Sequence, residues 1–311
     1  MFELGNALKN QLIDEHAENK YYNPNYELDM HDNNDSRSLI ANYIRKNAKC
    51  LDVGCGAGYL GKALFKYKKA DVYGIELDKE AAKYASKGHG YVDVYNFSIT
   101  ERAGKEFDKF IRADLKFDYI IFADILEHII SLDDALLFFS KFLKPNGRIL
   151  VSLPNVAHLD VVRGLINGDF NYNHIGLLDN THLRFFTERS FEQFIEQINE
   201  IFGQNFAIKV INKTMAMPNY IERYPNFYKI LNHSGEACVL QFIYEISIEK
   251  KSSNGSVKRN RKKDYFAEIE ERLRQRDELK REVKDLREST SWKITKPIRK
   301  ISAMIKDIKK S

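Results

Sequence analysis

Apolar and polar positions alternate along the first 250 residues in a way that predicts strands and helices in turn. Short runs rich in β-branched and aromatic residues, typical of strands, fall at 49–53, 71–76, 91–95, 117–122 and 147–152. Apolar positions at helical spacing fill the segments around them, at 36–46, 59–69, 79–87 and 131–142. This alternation predicts an α/β fold with a doubly wound, mostly parallel sheet.

The pattern becomes irregular between residues 155 and 187, which hold three of the chain's eight histidines and several aromatic residues. We expect this stretch to cover the carboxyl ends of the strands, where ligands bind in open α/β sheets. A helix is predicted at 188–201, and two further runs rich in β-branched and aromatic residues follow at 205–211 and 238–248.

Three alternating glycines, Gly54, Gly56 and Gly58, follow the first predicted strand and precede a predicted helix. Glycine lets the backbone turn sharply and approach a ligand closely, and a helix start presents free N–H groups. The spacing is not the G-x-G-x-x-G of a dinucleotide site, so a nicotinamide cofactor is disfavoured. Glu76 ends the second strand about 20 residues later, where a carboxylate can accept from ribose hydroxyls.

The glycine motif resembles that of the class I S-adenosylmethionine-dependent methyltransferases, and further segments resemble the same family in the same order. These segments are L-D-V-G-C-G-A-G at 51–58, G-I-E-L-D at 74–78, F-A-D-I-L-E-H at 122–128, L-K-P-N-G at 143–147, S-L-P-N at 152–155 and L-D-N-T-H-L-R-F-F-T at 178–187. The resemblance covers roughly residues 36 to 250. It implies a seven-stranded, Rossmann-like methyltransferase fold closed by an antiparallel edge, with S-adenosylmethionine as the cofactor.

The same resemblance implies a set of cofactor-binding positions. They are Tyr22, Asp52, Gly54, Cys55, Gly56, Gly58, Glu76, Leu77, Asn96, Phe97 and Asp124. The glycine loop is expected around the amino-acid part of the donor, Glu76 at its ribose, and Asn96 or Phe97 at its adenine. Asp124 is expected under the methionine end, and Tyr22 on a lid. For Asp52 a second role stays open, in which its carboxylate orders the glycine turn.

Methyl transfer from a sulfonium is an in-line displacement, so the protein mainly aligns the reactants and removes a proton from the acceptor. Glu127 and His128 are the catalytic candidates, because a histidine can take a proton from a hydroxyl near neutral pH. The alternative is a histidine that only hydrogen-bonds the backbone. The acceptor-binding candidates are Asn155, His158, His182 and Arg184, and Arg184 could hold a phosphate or carboxylate. A loop scaffold with internally satisfied side chains stays equally open.

The cysteines and the apolar runs exclude other classes. The three cysteines lack C-x-x-C spacing and no H-x-x-x-H motif accompanies them, so no metal site and no disulfide framework is predicted. No apolar run approaches the roughly 20 residues that span a bilayer. These features predict a cytoplasmic protein, at most peripheral on the inner face of the membrane.

Charge and composition divide the chain. We predict an N-terminal cap at 1–35, a catalytic domain at 36–250, a flexible linker at 251–263 and a helical tail at 264–311. Residues 251–311 carry 20 Lys and Arg against 10 Asp and Glu, whereas the first 250 residues have a net charge of −5. The net negative charge of the catalytic part argues against a nucleic-acid acceptor. The charged helix is equally compatible with a homodimer and with a solvated spacer.

The sequence pattern at the end of the tail predicts a basic amphipathic helix. Its isoleucines are Ile294, Ile298, Ile301, Ile305 and Ile308, with lysines and arginines between them. This pattern favours contact with an anionic membrane surface or with a partner such as a glycosyltransferase. The run S-W-K-I-T-K-P-I-R at 291–299 resembles a segment of bacterial enzymes of surface-polysaccharide assembly.

These resemblances together favour O-methylation of a sugar, nucleotide sugar or lipid-linked glycan, or of its phosphate, in the synthesis of O-antigen or capsule. A quinone-like small molecule is the alternative acceptor. From a different class, the chain could be a non-catalytic scaffold that retains the methyltransferase fold.

Overall fold

The computed structural model describes residues 26–87, 90–218 and 236–249. The chain divides into two units, Met1–Lys251 and Ser252–Ser311, and every described residue belongs to the first. The predicted lid with Tyr22, the linker and the tail therefore lie outside the described residues.

Seven strands form one sheet. They are β1 (Lys49–Val53), β2 (Asp71–Glu76), β3 (Tyr91–Asn96), β4 (Phe117–Ala123), β5 (Leu143–Pro154), β6 (Phe206–Met215) and β7 (Val239–Ile248). The order across the sheet is β3-β2-β1-β4-β5-β7-β6. Strands β1 to β5 are parallel, and β7 runs antiparallel to both β5 and β6. The predicted Rossmann-like sheet with its antiparallel edge is confirmed.

Helices cover both faces of the sheet. They are α1 (Ser36–Tyr43), α2 (Tyr59–Ala63), α3 (Lys79–Ser86), α4 (Lys105–Arg112), α5 (Leu132–Ser140), α6 (Leu159–Ile166) and α7 (Glu188–Phe202). Buried residues of α4, α5 and α7 share one apolar cluster with β4 and β5. Those of α1 and α2 form a second cluster that includes Cys50 and Val72 on the opposite face. Within the described residues, no helix has the length and apolar character that crossing a membrane requires.

Two helices differ from the sequence prediction. Helix α4 was not predicted, although Phe107, Phe110 and Ile111 have the 3 and 4 residue spacing of one helical face. Helix α6 lies in the stretch predicted to be irregular, so that prediction is wrong for residues 159–166. Its eight residues include Gly164 and two adjacent valines, which weaken the helical signal.

The order of the strands locates the binding site. The chain runs outward from β1 to β3 and then returns to the other side of β1 to place β4. At such a switch point the loops after the two central strands diverge and leave a crevice at their carboxyl ends. The glycine loop after β1 and the turn after β4 flank this crevice.

Candidate active site

The loop after β1 turns back on β2 through backbone hydrogen bonds. The N–H groups of Gly54 and Cys55 both donate to the carbonyl of Ile75, at 2.8 and 3.0 Å. Gly54 has φ 76°, in the left-handed region that favours glycine. A Cβ built on it would lie 2.2 Å from Cδ1 of Ile125, in the turn after β4. A side chain at this position would therefore strain the backbone and displace Ile125 where the two loops of the crevice touch.

Glu76 connects the glycine loop to the end of β2. One carboxylate oxygen accepts from the N–H of Gly56 at 2.7 Å, and the other accepts from the N–H of Asp78 at 2.8 Å. Each oxygen has a second lone pair, so the oriented carboxylate can still accept from two hydroxyls. The glycine loop and this carboxylate fit the amino-acid and ribose parts of the expected donor.

The residues predicted near the adenine of the donor differ in how far they are exposed. The amide of Asn96 donates to the carbonyls of Glu76 and Leu77, at 2.8 and 2.9 Å, which leaves its own oxygen as an acceptor. Leu77 is 69 % exposed and is open to a ligand. The ring of Phe97 belongs to the apolar core and is only 5 % exposed. The side chain of Cys55 is also buried, so neither the Phe97 nor the Cys55 side chain is open to a ligand.

Tyr91, which sequence reasoning missed, reaches from β3 to the carboxylate of Asp52. Its hydroxyl donates to Oδ2 of Asp52 at 2.6 Å and accepts from the N–H of Gly61 at 3.1 Å. Its ring occupies the space that a Cβ would fill at Gly58 or Gly61, at 2.9 and 2.1 Å. Burial raises the pKa of Asp52 to about 7, against the lowering effect of the Tyr91 hydrogen bond. These contacts favour the loop-ordering role of Asp52.

Asp124 lies immediately after β4 with a left-handed backbone, φ 56°. Ser152 and Gln241 donate to its Oδ1 at 2.6 and 2.8 Å, and Ser36 donates to its Oδ2 at 3.1 Å. Burial raises the pKa of this carboxyl even though the serine hydrogen bonds lower it. Residues from α1, β5 and β7 therefore fix one carboxylate beside the glycine loop.

Glu127 is the most isolated polar group of the site. The residue is 1 % exposed, and its Oε2 has no hydrogen-bond partner among the described residues. Burial raises the pKa of Glu127 well above its ordinary value, and the carboxylates of Asp124 and Asp179 add to the shift. The carboxylate form of a group with a raised pKa is a stronger base than an exposed carboxylate, which suits the catalytic role predicted for it.

Two histidines lie beside Glu127, with ring centroids 4.9 Å apart. Nδ1 of the exposed His128 lies 3.2 Å from the carbonyl of Thr181, and Nδ1 of the buried His182 lies 3.2 Å from the carbonyl of Leu177. A carbonyl can only accept, so each Nδ1 carries the proton and each Nε2 keeps its lone pair. Burial lowers the pKa of His182, and the neighbouring His128 adds to this shift.

Backbone hydrogen bonds hold the loop with His182 against the turn after β4. The carbonyl of Glu127 accepts from the N–H groups of Leu183 and Arg184, at 2.8 and 3.0 Å. The guanidinium of Arg184 donates to the carbonyl of Ile130 at 2.7 Å. Arg184 therefore joins the two segments and also has donors left for an acceptor.

The other two acceptor candidates are used by the scaffold. The buried amide of Asn155 donates to the carbonyl of Val239 at 2.9 Å and accepts from the N–H of Ala157 at 3.0 Å. The ring of His158 lies with Nε2 3.0 Å from the carbonyl of Ala216, and its Nδ1 accepts from the N–H of Asp160 at 3.3 Å. Both side chains have internal partners, so the geometry supports the scaffold alternative for them and not acceptor contact.

A row of aromatic side chains extends from His182 along the loop. His182 lies 6.3 Å from Phe185, and Phe185 lies 5.6 Å from Phe170 and 6.3 Å from Tyr172. Phe170 and Tyr172 are 38 % and 55 % exposed. The acceptor side of the crevice therefore presents partly exposed aromatic surface next to titratable groups.

Comparison with curated proteins gives relatives of low identity. The chain is 26 % identical over 191 residues to the ubiquinone biosynthesis O-methyltransferase of Pelagibacter ubique. The matched residues are 58 % of this chain and 75 % of that protein. It is 33 % identical over 129 residues to the enzyme of the same name from Pasteurella multocida, covering 38 % and 53 %. With the human mitochondrial enzyme of that name it is 26 % identical over 148 residues, covering 48 % and 40 %.

Among solved structures, the plantazolicin methyltransferase BpumL in complex with a monoazolic desmethylPZN analog and SAH is 17 % identical, with a TM-score of 0.46, and the match covers 69 % of this chain and 82 % of that one. A SAM-dependent methyltransferase from Archaeoglobus fulgidus is 17 % identical, with a TM-score of 0.44 and coverage of 69 % and 94 %. A family model described as a methyltransferase domain matches residues 26–199, more than half of the chain. The chain therefore belongs to this family of methyltransferases, which use S-adenosylmethionine as the methyl donor.

Proposed function

We propose that the protein transfers a methyl group from S-adenosylmethionine to a hydroxyl of an aromatic, quinone-like small molecule. Several of its curated relatives are named ubiquinone biosynthesis O-methyltransferases. The comparisons thus support the alternative acceptor of the sequence analysis better than the glycan.

The observation that carries the proposal is the row of rings beside Glu127, His128 and His182. Phe185, Phe170 and Tyr172 lie within 6.3 Å of one another and are partly exposed. Aromatic side chains bind aromatic ligands through offset or edge-to-face contacts. An acceptor ring on this surface would place its hydroxyl next to the carboxyl and imidazole groups.

The proton of that hydroxyl needs an acceptor as the methyl group is transferred. His128 is exposed and keeps the Nε2 lone pair, because its Nδ1 faces the carbonyl and hydroxyl of Thr181 at 3.2 and 3.1 Å. The hydroxyl of Thr181 in turn donates to Asp179 at 2.6 Å. The hydrogen bonds from His128 through Thr181 to Asp179 orient the imidazole, and Asp179 stabilises the imidazolium that forms after proton transfer.

A glycan acceptor is the second candidate. The basic tail and the segment at 291–299 favour it, with the tail in contact with a membrane surface or a glycosyltransferase. The relatives named above give it no support, and the tail lies outside the described residues.

The test is methyl transfer by the full chain from isotope-labelled S-adenosylmethionine to a panel of acceptors. The panel contains a catechol without a charged group, a free sugar and a nucleotide sugar. We expect methylation of the aromatic acceptor and a KM raised about tenfold by Phe185→Ala, since a ring contact contributes up to about 1.5 kcal/mol.

Phe202→Ala, which removes a 46 % exposed ring at the end of α7, is the matched control and should leave KM unchanged. Thermal unfolding checks that both variants are folded. Methylation of the nucleotide sugar alone would instead establish the glycan acceptor and contradict the proposal.

A further inference from the structure

One carboxylate and two imidazoles converge at the acceptor side of the crevice. Glu127, His128 and His182 each offer a ligand atom, and these atoms all lie within 4.8 Å of one another. The residues come from two segments that are far apart in the sequence, and the backbone hydrogen bonds from Leu183 and Arg184 to Glu127 bring them together. Short-spacing motifs therefore could not reveal this cluster.

Glu127 contributes to the cluster one carboxyl oxygen that no hydrogen bond of the described residues uses. Its Oε2 is buried without a partner in the part of the chain that the structure describes, and the residue is 1 % exposed. An unpartnered buried polar atom costs about 1–3 kcal/mol, so proteins rarely retain one without a ligand or a chemical use for it.

The histidines are oriented as metal ligands usually are. Ligating histidines donate the other ring N–H to a carbonyl or carboxylate, which fixes the tautomer and the ring orientation. Here Nδ1 of His128 faces the carbonyl of Thr181, and Nδ1 of His182 faces the carbonyl of Leu177. Asp179 accepts from the hydroxyl of Thr181 and so adds a carboxylate behind His128.

We propose that Glu127, His128 and His182 bind a divalent transition-metal ion. Two imidazoles and one carboxylate suit Zn²⁺, Co²⁺, Fe²⁺ or Mn²⁺ better than Ca²⁺ or Mg²⁺, which prefer oxygen ligands. Three protein ligands leave at least one coordination position open. Since His128 is exposed, that position can be reached from the crevice.

This site does not depend on the identity of the acceptor, but it would change the role of His128 from proton acceptor to metal ligand. A hydroxyl that binds a divalent cation loses its proton more readily, so the ion would help form the nucleophile for methyl transfer. Glu127 and His128 would then serve as ligands, and the proton would leave from the bound hydroxyl to a base or to water.

The test is direct binding of Co²⁺ to the full chain after treatment with a chelator, without donor or acceptor. Absorption in the visible range reports Co²⁺ coordination, and calorimetry gives the stoichiometry and affinity. We expect one Co²⁺ per chain, displaced by Zn²⁺, and affinity reduced at least about tenfold in both Glu127→Gln and His128→Gln, since even outer partners of metal ligands contribute that much.

His174→Gln is the matched control, because His174 is an exposed histidine of the same loop outside the cluster. It should bind Co²⁺ like the wild type, and thermal unfolding should show that all three variants are folded. Absence of Co²⁺ binding by the wild type, or binding that survives both Glu127→Gln and His128→Gln, would overturn the proposal. Because the measurement needs no methyl transfer, failure of the acceptor hypothesis would leave its outcome unchanged.

Discussion

The two sides of the crevice are built differently. On the donor side, the carboxylate of Glu76 accepts from the N–H of Gly56, and the amide of Asn96 donates to the carbonyl of Glu76. Both hydrogen bonds join residues 20 apart in the sequence, and each pairs a side chain with a backbone group. On the acceptor side, the carbonyl of Glu127 accepts from a loop more than 50 residues away, and its buried Oε2 has no partner in the part of the chain that the structure describes. The difference shows that the donor side is a self-consistent scaffold, whereas the acceptor side retains reactive groups.

The same contrast explains how much of the protein could be predicted from the sequence. The sheet and the glycine loop follow from local patterns, because each strand run and each turn residue carries its own signal. Tyr91 could not be predicted as a partner of Asp52, since a tyrosine at the start of a strand is an ordinary β-former. The meeting of His182 with Glu127 depends on long-range folding of the irregular residues 167–187 that follow α6, which carry no periodic signal.

Among the variants that test this contrast between the two sides, Gly54→Ala should have the largest effect. The new Cβ would meet Ile125 at 2.2 Å and would hold a left-handed φ of 76°. Left-handed backbone costs about 1–2 kcal/mol and overpacking typically about 1–3 kcal/mol. We expect the affinity for S-adenosylhomocysteine to fall about 100-fold, measured by calorimetry.

Gly203→Ala is the control for backbone strain alone. Gly203 also has positive φ, at 64°, but a Cβ there meets nothing within 4 Å and the residue lies outside the crevice. It should lose stability without losing affinity. Wild-type affinity in Gly54→Ala would show that the donor loop is not the rigid scaffold described above.

A smaller, pH-dependent effect is expected from Asp52, whose pKa rises from 3.8 to about 7 in the folded protein. Between these values the folded protein holds a proton that the unfolded chain has lost. The free energy of unfolding should therefore fall as pH rises from about 4 to about 7, by a few kcal/mol, and this contribution should stay constant above that range. Asp52→Asn should remove this contribution in urea unfolding and so reduce the slope, while Asp124 and Glu127, whose pKa values burial also raises, keep theirs.

Two variants test the cause of that slope. Tyr91→Phe removes the hydrogen bond that lowers the pKa of Asp52, so the slope should extend to higher pH. Asp71→Asn, at the exposed start of β2, should keep the wild-type slope. If Asp52→Asn and wild type depended on pH alike, burial of this carboxyl would not be what limits stability.

The smallest effect is expected from Arg184→Lys on the acceptor side. The guanidinium is exposed and donates to the carbonyl of Ile130 at 2.7 Å, so its loss should cost about 1 kcal/mol of stability or less. Lysine keeps the charge but cannot form the planar fork that binds phosphate or carboxylate. With an uncharged aromatic acceptor we therefore expect KM to change less than about threefold.

Arg112→Lys, on the exposed face of α4, is the control and should leave KM unchanged. A rise of tenfold or more for a nucleotide sugar would show that Arg184 binds an anion, which would move the acceptor side from an aromatic-binding surface to a phosphate-binding one.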